Sequence, residues 1–111
     1  MKNDKSLLLE ALGDTTELRI IDFLICNTPT EVLKNEIIKR TGISRASFYR
    51  VWGKLERFGI VKPVRKIGKF VLYDLNRENK FVEWLLKVDW ALIERSAEEV
   101  KIPERIKIVP R

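Results

Sequence analysis

The 111-residue sequence contains no histidine and only one cysteine. Without histidine, imidazole zinc sites, histidine-dependent catalytic triads and histidine pH switches are all excluded. Cys26 cannot form an intrachain disulfide, and because it lies in the apolar run LRIIDFLIC, we expect it to be a buried structural thiol. There is also no glycine-rich phosphate loop and no nucleophile with a plausible base. We therefore expect no metal, no cofactor and no enzymatic activity.

Long apolar runs are also missing. The most apolar stretch, FVEWLLKVDWALI at residues 81–93, is interrupted by three charges and is too short to span a bilayer. The N-terminal residues, MKNDKSLLLEALGD, have neither the apolar core nor the cleavage site of a secretory signal. The composition, 45% hydrophobic and 34% charged, is typical of a folded domain. The length fits one such domain, and we expect it to be soluble, cytoplasmic and without a membrane partner.

Positive charge is concentrated in the middle of the chain. Residues 1–33 have a net charge of −3, residues 34–69 a net charge of +9, and residues 70–111 a net charge of zero. The formal charge of +6 therefore comes from the middle third. Such a concentration is typical of a surface that binds a polyanion.

Helical patterns cover the first part of the chain. Asp4 or Ser6 can cap a short helix, LLLEAL, which Gly13 ends. Residues 14–17 have the form of a capping box with Asp14 as the cap, and they open a second helix that continues to about Asn27.

Residues 28–30, Thr-Pro-Thr, interrupt the helical pattern. A third helix is predicted from about Glu31 to Thr41, with Gly42 as its left-handed cap. Its inward-facing residues are predicted to be Leu33, Ile37 and Ile38.

Residues 44–58 predict an amphipathic fourth helix, which Ser44 caps and Gly59 ends. One face has a continuous apolar stripe, formed by Phe48, Trp52, Leu55 and Phe58. The opposite face is polar and basic, with Arg45, Ser47, Tyr49, Arg50 and Lys54.

From Ile60 the helical period gives way to alternation, which predicts a β-hairpin over about residues 61–75. Its predicted tip is residues 66–69, Lys-Ile-Gly-Lys, where Gly68 can supply the positive φ of a tight turn.

A last helix is predicted from near Asn76 or Arg77 to about Glu99, and it has more apolar residues than one packed face requires. They form two rows, Phe81, Leu85, Val88 and Leu92, and beside it Leu86, Trp90, Ile93 and Ala97, with Trp84 between neighbours. A monomer would expose one row, which favours a homodimer, unless other helices cover both. The basic tail that follows, VKIPERIKIVPR at residues 100–111, fits either a short strand or a mobile arm.

This order of elements, together with several short motifs, resembles the winged helix-turn-helix transcription regulators of prokaryotes. The similarity is greatest to small dimeric repressors of the ArsR, MarR and PadR groups. The matching motifs are Glu36-Ile37-Ile38, TGIS at residues 41–44, SRASFYR at 44–50, LERFGIV at 55–61, and Tyr73-x-Leu75-Asn76. Ile38 departs from the pattern, because alanine is usual there. Gly53 also departs from it, at a cost of about 1 kcal/mol relative to alanine; either a close approach of DNA or a packing concession explains this glycine.

The resemblance implies a mainly α fold with a small β-hairpin and an additional long C-terminal helix. The winged helix-turn-helix domain would cover residues 1–76, with a recognition helix at about 44–58 and a wing at about 61–75. A dimerisation helix would follow at 77–99, and the tail at 100–111. The implied function is a homodimeric repressor that binds a palindromic operator in double-stranded DNA, with no effector identified by the residues.

The predicted DNA-binding residues lie on the fourth helix and on the wing. In this geometry Arg45 is the first choice for a bidentate contact to guanine, and Ser44, Ser47 and Tyr49 could donate to bases or phosphates. Arg50 and Lys54 are expected to meet phosphate. On the wing, Arg65, Lys66 and Lys69 are expected to contact the minor groove or the backbone. The predicted dimerisation residues are Phe81, Trp84, Leu85, Val88, Trp90, Leu92 and Ile93.

Two other functions are compatible with the same fold. One is a winged-helix module that binds protein, which the basic middle third disfavours. The other is a nonspecific architectural or partition protein on DNA. RNA binding is disfavoured because the pattern predicts no exposed aromatic sheet for stacking bases.

Overall fold

The computed structural model describes residues 6–27 and 31–101, with side chains as far as residue 98. In this part of the chain the elements are α1 (Leu7–Leu12), α2 (Thr16–Cys26), α3 (Lys34–Thr41), α4 (Arg45–Arg57), β1 (Val61–Ile67), β2 (Phe70–Leu75) and α5 (Lys80–Lys101). The predicted fold class, mainly helical with one hairpin and a long last helix, is confirmed. None of these helices is long and apolar enough to cross a bilayer. The predictions for Asp4, for residues 28–30 and for the tail beyond Lys101 lie outside the described residues.

The first two helices begin at hydroxyl caps. Ser6 Oγ accepts a hydrogen bond from the Leu9 amide at 3.2 Å, and Thr15 Oγ1 accepts one from the Leu18 amide at 3.1 Å. Asp14 is therefore not the cap of α2, and that prediction is wrong. Its carboxylate instead accepts from the Arg19 guanidinium at 3.0 and 2.7 Å, in a charge-assisted bidentate pair.

Helix α3 begins at Lys34, three residues later than predicted, because residue 32 is in an extended conformation. Val32 pairs with Tyr73 in an isolated antiparallel bridge, with backbone N–O distances of 2.9 and 2.8 Å. This bridge places Val32 beside β2 at the edge of the hairpin. At the other end of α3, Gly42 has a φ of 76° and is the left-handed cap that was predicted.

The core lies between α1, α2, α3, α4, the base of the hairpin and the first turns of α5. The predicted inward-facing residue Ile37 of α3 is fully buried in it. The predicted α4 residues Phe48, Trp52 and Leu55 are all buried, and the rings of Phe48 and Trp52 stack at 4.9 Å. Phe58 was predicted to continue this stripe, but it is 55% exposed and Val51 takes its place in the core. The reason is that α4 ends at Arg57 and the chain reverses at Gly59, whose φ is 72°.

Strands β1 and β2 form an antiparallel hairpin whose last pair is Ile67 with Phe70. The intervening turn is Gly68–Lys69, and Gly68 has the predicted positive φ, 61°. A bulge lies between Pro63 and Arg65.

Helix α5 begins at Lys80 rather than near Asn76. The Asn79 side chain caps it by accepting from the Val82 amide at 3.1 Å. The preceding residues form a turn that is anchored to Gly59, because the side-chain amides of Asn76 and Asn79 both donate to the Gly59 carbonyl.

Cys26 is exposed, so the prediction of a buried thiol is wrong. It is the last residue of α2 and lies on the side of the helix away from Ile20 and Leu24, which are buried. Partial desolvation and the carboxylates of Asp22 and Asp89 raise the pKa of its thiol, so the group is protonated at neutral pH and is a weak nucleophile. Within the described residues, no group of three or more cysteine, aspartate and glutamate side chains could hold a metal ion.

Candidate nucleic-acid interface

Helix α4 presents one face to solvent, and we call this the recognition face. It is formed by Arg45, Ala46, Tyr49, Arg50 and Gly53, all of which are exposed. The helix begins at Ser44, whose Oγ accepts from the Ser47 amide at 3.1 Å. That bond fixes the first turn, while Ser44 retains its own hydroxyl proton for a further partner. Ser47 is half-buried beside it.

Gly53 is an open position on the recognition face. A Cβ atom built there would meet nothing within 4 Å in the described chain. A packing concession therefore does not explain this glycine. Its absence of a side chain leaves room for a molecule that approaches α4 from solvent.

The cations of this region divide into two groups. Lys54 Nζ donates to Glu17 Oε2 on α2, and Arg65 Nε donates to Glu31 Oε1 at 2.7 Å. The first of these bonds, to Lys54, is the main cause of the lowered pKa of the Glu17 carboxyl. The predicted DNA-binding residues Lys54 and Arg65 therefore already have acidic partners in the protein.

The other predicted cations have no such partner. Among the described residues, Arg45, Arg50, Lys66 and Lys69 form no ion pair, and all four are exposed. Lys69 Nζ lies 5.8 Å from the centre of the Phe70 ring, a contact that leaves its charge facing solvent. These four side chains are thus available to an anionic ligand.

A shallow groove of about 230 Å³ connects α3, α4 and the hairpin. Its lining includes Lys34 and Asn35 from α3, Tyr49 from the recognition face, and Lys69 and Phe70 from the hairpin. Lys34 was not among the predicted site residues. Its Nζ lies between 5.4 and 5.9 Å from the ring centres of Tyr49, Trp52 and Tyr73, an arrangement in which the rings hold the ammonium by cation–π attraction. The groove therefore has a cation on each side.

Comparison with solved structures identifies the architecture. MepR of S. aureus, solved in a DNA-binding conformation, superposes with a TM-score of 0.56 over 89% of this chain and 74% of its own, at 16% sequence identity. The chain has the winged helix-turn-helix fold. The PcaV transcriptional regulator of Streptomyces coelicolor, solved with its natural ligand, gives a TM-score of 0.51 over 93% of this chain and 75% of its own, at 20% identity. No protein-family model and no curated protein sequence matches the chain.

In the winged helix, α3 and α4 are the helix-turn-helix pair, joined by the turn at Gly42 and Ile43, and α4 has the position that a recognition helix has in this fold. Strands β1 and β2 form the wing. The groove described above therefore lies between the recognition helix, the N-terminus of α3 and the wing. Helix α5 is the additional C-terminal helix that follows the winged-helix core.

Helix α5 packs on this core along a line that lies between the two predicted apolar rows. Val82, which belongs to neither row, is buried together with Leu85. The predicted dimerisation residue Leu85 thus lies in the core of the chain, and Leu92 is half-buried. Because the buried line lies between the rows, each row leaves apolar side chains exposed.

The two exposed sides of α5 differ in extent. The Trp84 flank consists of Phe81, Trp84 and Val88 and continues onto Phe58 at the end of the recognition helix. Phe58, Ile60 and Phe81 line an apolar groove of about 550 Å³ there, with Asn79 and Lys80 at its edge. The Trp90 flank consists of Trp90 and Ile93, and the indole N–H of Trp90 donates to Glu94 on the same helix at 2.8 Å. The Trp84 flank is the larger apolar surface.

Proposed function

We propose that this winged-helix protein is a transcriptional regulator that binds double-stranded DNA with sequence specificity. The observation that supports this most strongly is the grouping, in the part of the chain that the structure describes, of cations without an ion-pair partner around the recognition face. Lys34 on α3 and Lys69 on the wing line the same groove as Tyr49, and Arg45 and Arg50 lie beside Tyr49 on the recognition face. All four cations belong to the segment whose net charge is +9. The MepR structure, solved in a DNA-binding conformation, has the same fold.

The proposed binding mode places the N-terminal turns of α4 in the major groove, which is wide enough to admit a helix. Arg45 would contact guanine there, and Ser44, Ser47 and Tyr49 would contact bases or phosphates. Arg50 would contact a phosphate. The DNA backbone strand that separates the major groove from the adjacent minor groove would lie in the protein groove bordered by Lys34 and Lys69. Lys66 would contact the backbone beside the wing.

Lys54 and Arg65 take a different role in this proposal. Each bridges the DNA-binding elements to another part of the chain, Lys54 to Glu17 on α2 and Arg65 to Glu31 beside the sheet. They would hold the recognition helix and the wing in position, with less direct contribution to phosphate binding than their sequence positions predicted.

We propose that two copies of the chain associate through the Trp84 flank. Phe58, Phe81, Trp84 and Val88 form an apolar surface of a kind that monomeric proteins rarely expose. A two-fold dimer would place two recognition helices about one DNA turn apart, so the operator should be a palindrome with that spacing. Occupation of such a site near a promoter would repress transcription.

The direct test is selection of genomic DNA fragments that the purified protein retains at moderate salt, followed by sequencing. A shared palindromic motif is the expected result. Retention without a motif would favour the architectural or partition function, and no retention would favour a protein-binding winged helix.

Affinity for the operator should fall steeply with salt. Four candidate phosphate contacts per protomer, Lys34, Arg50, Lys66 and Lys69, give a log–log slope of about −7 for a dimer at about −0.9 per phosphate. Titrations of operator binding between about 50 and 200 mM salt would measure this slope. The variant Lys34→Ala should make the slope about 2 less steep, because each dimer loses two contacts. A slope near zero would contradict the electrostatic mode of binding.

Replacing Gly53 with alanine should stabilise the fold while weakening DNA binding. The open space around Gly53 accepts a methyl group, so the free energy of unfolding should rise by about 0.5–1 kcal/mol. Operator affinity should fall several-fold, because the methyl group would meet the approaching DNA.

Gly42→Ala is the control. The φ of Gly42, 76°, makes a side chain costly there, and the free energy of unfolding should fall by about 1 kcal/mol. Urea denaturation measures the stability of both variants. An unchanged operator affinity for Gly53→Ala would contradict the close approach of DNA.

A further inference from the structure

The tip of the wing exposes apolar side chains that the fold does not use. Ile67 and Phe70 are the last cross-strand pair of the hairpin, directly before the Gly68–Lys69 turn. Directly opposed residues in a hairpin lie on the same face. Ile67 is 53% exposed and Phe70 is 51% exposed, so together they form an apolar edge at the end of the wing.

The other face of the hairpin is the one that packs on the protein. Val71 packs partly buried against the core, and Tyr73 and Leu75 are buried in it. Because side chains alternate along a strand, the Phe70 side chain leaves the strand on the opposite face from these residues. At the end of the strand it still borders the groove that Val71 and Tyr73 line. As a cross-strand pair, Ile67 and Phe70 contribute a small stabilisation to the hairpin, but exposed apolar residues at its tip also favour aggregation. Their position is better explained by a contact with a ligand.

The charge of the hairpin indicates the kind of ligand. Lys62, Arg65, Lys66 and Lys69 all lie on it, and the sequence has no acidic residue between Glu56 and Asp74. Arg65 is paired with Glu31, but Lys66 and Lys69 beside the tip form no ion pair among the described residues. An apolar edge flanked by these two cations is complementary to an apolar surface within a polyanion. Stacked base pairs between two phosphate backbones are such a surface.

The position of the tip indicates how it would meet DNA. Lys69 and Phe70 line the same groove as Tyr49, which belongs to the recognition face. The tip therefore lies on the side of the molecule that faces DNA in the proposed mode. There it would be next to the backbone strand that separates the major groove from the adjacent minor groove.

We propose that the wing tip is an apolar wedge: Ile67 and Phe70 insert at a base step in the minor groove and kink the duplex. This inference rests on the proposed DNA-binding function and adds a bending activity to it. Phenylalanine and isoleucine are among the side chains that unstack base steps from the minor groove, with kinks of about 20–90°. Lys66 and Lys69 neutralise the phosphates on either side. Flexible pyrimidine–purine steps should be preferred under each wing, since they are the easiest to unstack.

The test uses the full-length protein and the operator duplex obtained by selection. Fluorophores at the two ends report bending by energy transfer, and 2-aminopurine at the step under the wing reports unstacking. With the wild-type protein we expect a bend of at least about 20° per wing and a several-fold rise in 2-aminopurine fluorescence. The double variant Ile67→Ala, Phe70→Ala should still bind, with affinity reduced several-fold, and should lose both signals.

Two controls keep the outcomes distinct. Val64→Ala removes an exposed apolar side chain from the same hairpin near its bulge, away from the tip, and should leave both signals unchanged. Phe70→Leu keeps an apolar wedge and should retain part of the bend.

Motif-specific binding to a straight duplex with unchanged fluorescence would overturn the wedge while leaving the proposed function intact. Failure to bind any duplex would overturn both. A double variant that changes the oligomeric state but not the bend would assign the tip to protein contact and overturn the wedge.

Discussion

Replacing Arg45 with alanine should lower affinity for the operator by about 10-fold to 100-fold while changing affinity for random duplex DNA only slightly. A bidentate arginine–guanine pair contributes about 1–3 kcal/mol of discrimination against the wrong base. The variant should also accept other bases at the contacted position. Selection of fragments with wild-type and variant protein side by side would measure both effects.

The fold itself has no use for an arginine at this position. Arg45 is the first residue of α4 and is exposed, and it forms no ion pair among the described residues. The amino end of a helix has a partial positive charge, so a cation there is unfavourable by a few tenths of a kcal/mol. The first turn also has no acidic residue to offset it. The stability of Arg45→Ala should therefore equal or slightly exceed that of the wild type.

Lys69→Ala is the matched control for Arg45→Ala. Lys69 is also an exposed cation without an ion-pair partner in the described chain, but it lies at the wing turn, where the proposed contact is to the DNA backbone. Its loss should weaken specific and random duplexes by the same factor. If both variants lost the same factor on both kinds of DNA, Arg45 would be a phosphate contact, and the assignment of base recognition to it would be wrong.

Local features of the fold could be predicted from the sequence because they depend on neighbours within one helical turn or one hairpin. The Ser44 cap is decided by a side chain and an amide three residues apart, and the Gly42 and Gly68 conformations by a backbone that L side chains rarely adopt. The recognition face follows from these signals and from the helical period. For the same reason, Arg45, Tyr49 and Arg50 could be named as exposed residues of one surface.

Features that depend on distant residues could not be predicted in this way. The start of α3 at Lys34 follows from the bridge between Val32 and Tyr73, and without that bridge the position of Lys34 at the groove is not apparent. The pairs that occupy Lys54 and Arg65 join residues 37 and 34 positions apart. A list of basic residues does not show which charges the protein already neutralises.

The orientation of α5 is a second case of the same kind. The period of its sequence correctly gives two apolar rows, but rotation about the helix axis is set by the surface on which it packs. Because Val82 and Leu85 face the core, the buried line lies between the rows, and the exposed apolar surface is divided into two flanks. For the proposed dimer, the described part of α5 therefore offers two candidate interfaces, the Trp84 flank and the Trp90 flank.

Replacing Trp84 with glutamate should dissociate the dimer and lower operator affinity by about 100-fold or more. Trp84 is 62% exposed, so the change should leave the fold of each chain intact. In a dimer it would place two like charges in an apolar contact, where neither has a partner. The monomer would retain one recognition helix and lose the avidity of paired half-sites, which is typically worth 10²- to 10⁴-fold. Sedimentation velocity at micromolar concentration and operator titration measure the two effects.

Trp90→Glu is the control for Trp84→Glu, because it makes the same substitution on the same helix at a residue of similar exposure, 59%. Trp90 lies on the smaller flank, and its indole N–H already has a partner in Glu94. This variant should remain dimeric and bind the operator within a few-fold of the wild type. The opposite pattern, with dissociation by Trp90→Glu and none by Trp84→Glu, would move the interface to the Trp90 flank. A wild-type protein that sediments as a monomer and still binds a palindrome would show that the two copies pair only on DNA. Each half-site would then bind one copy, and the two α5 helices would meet on the duplex.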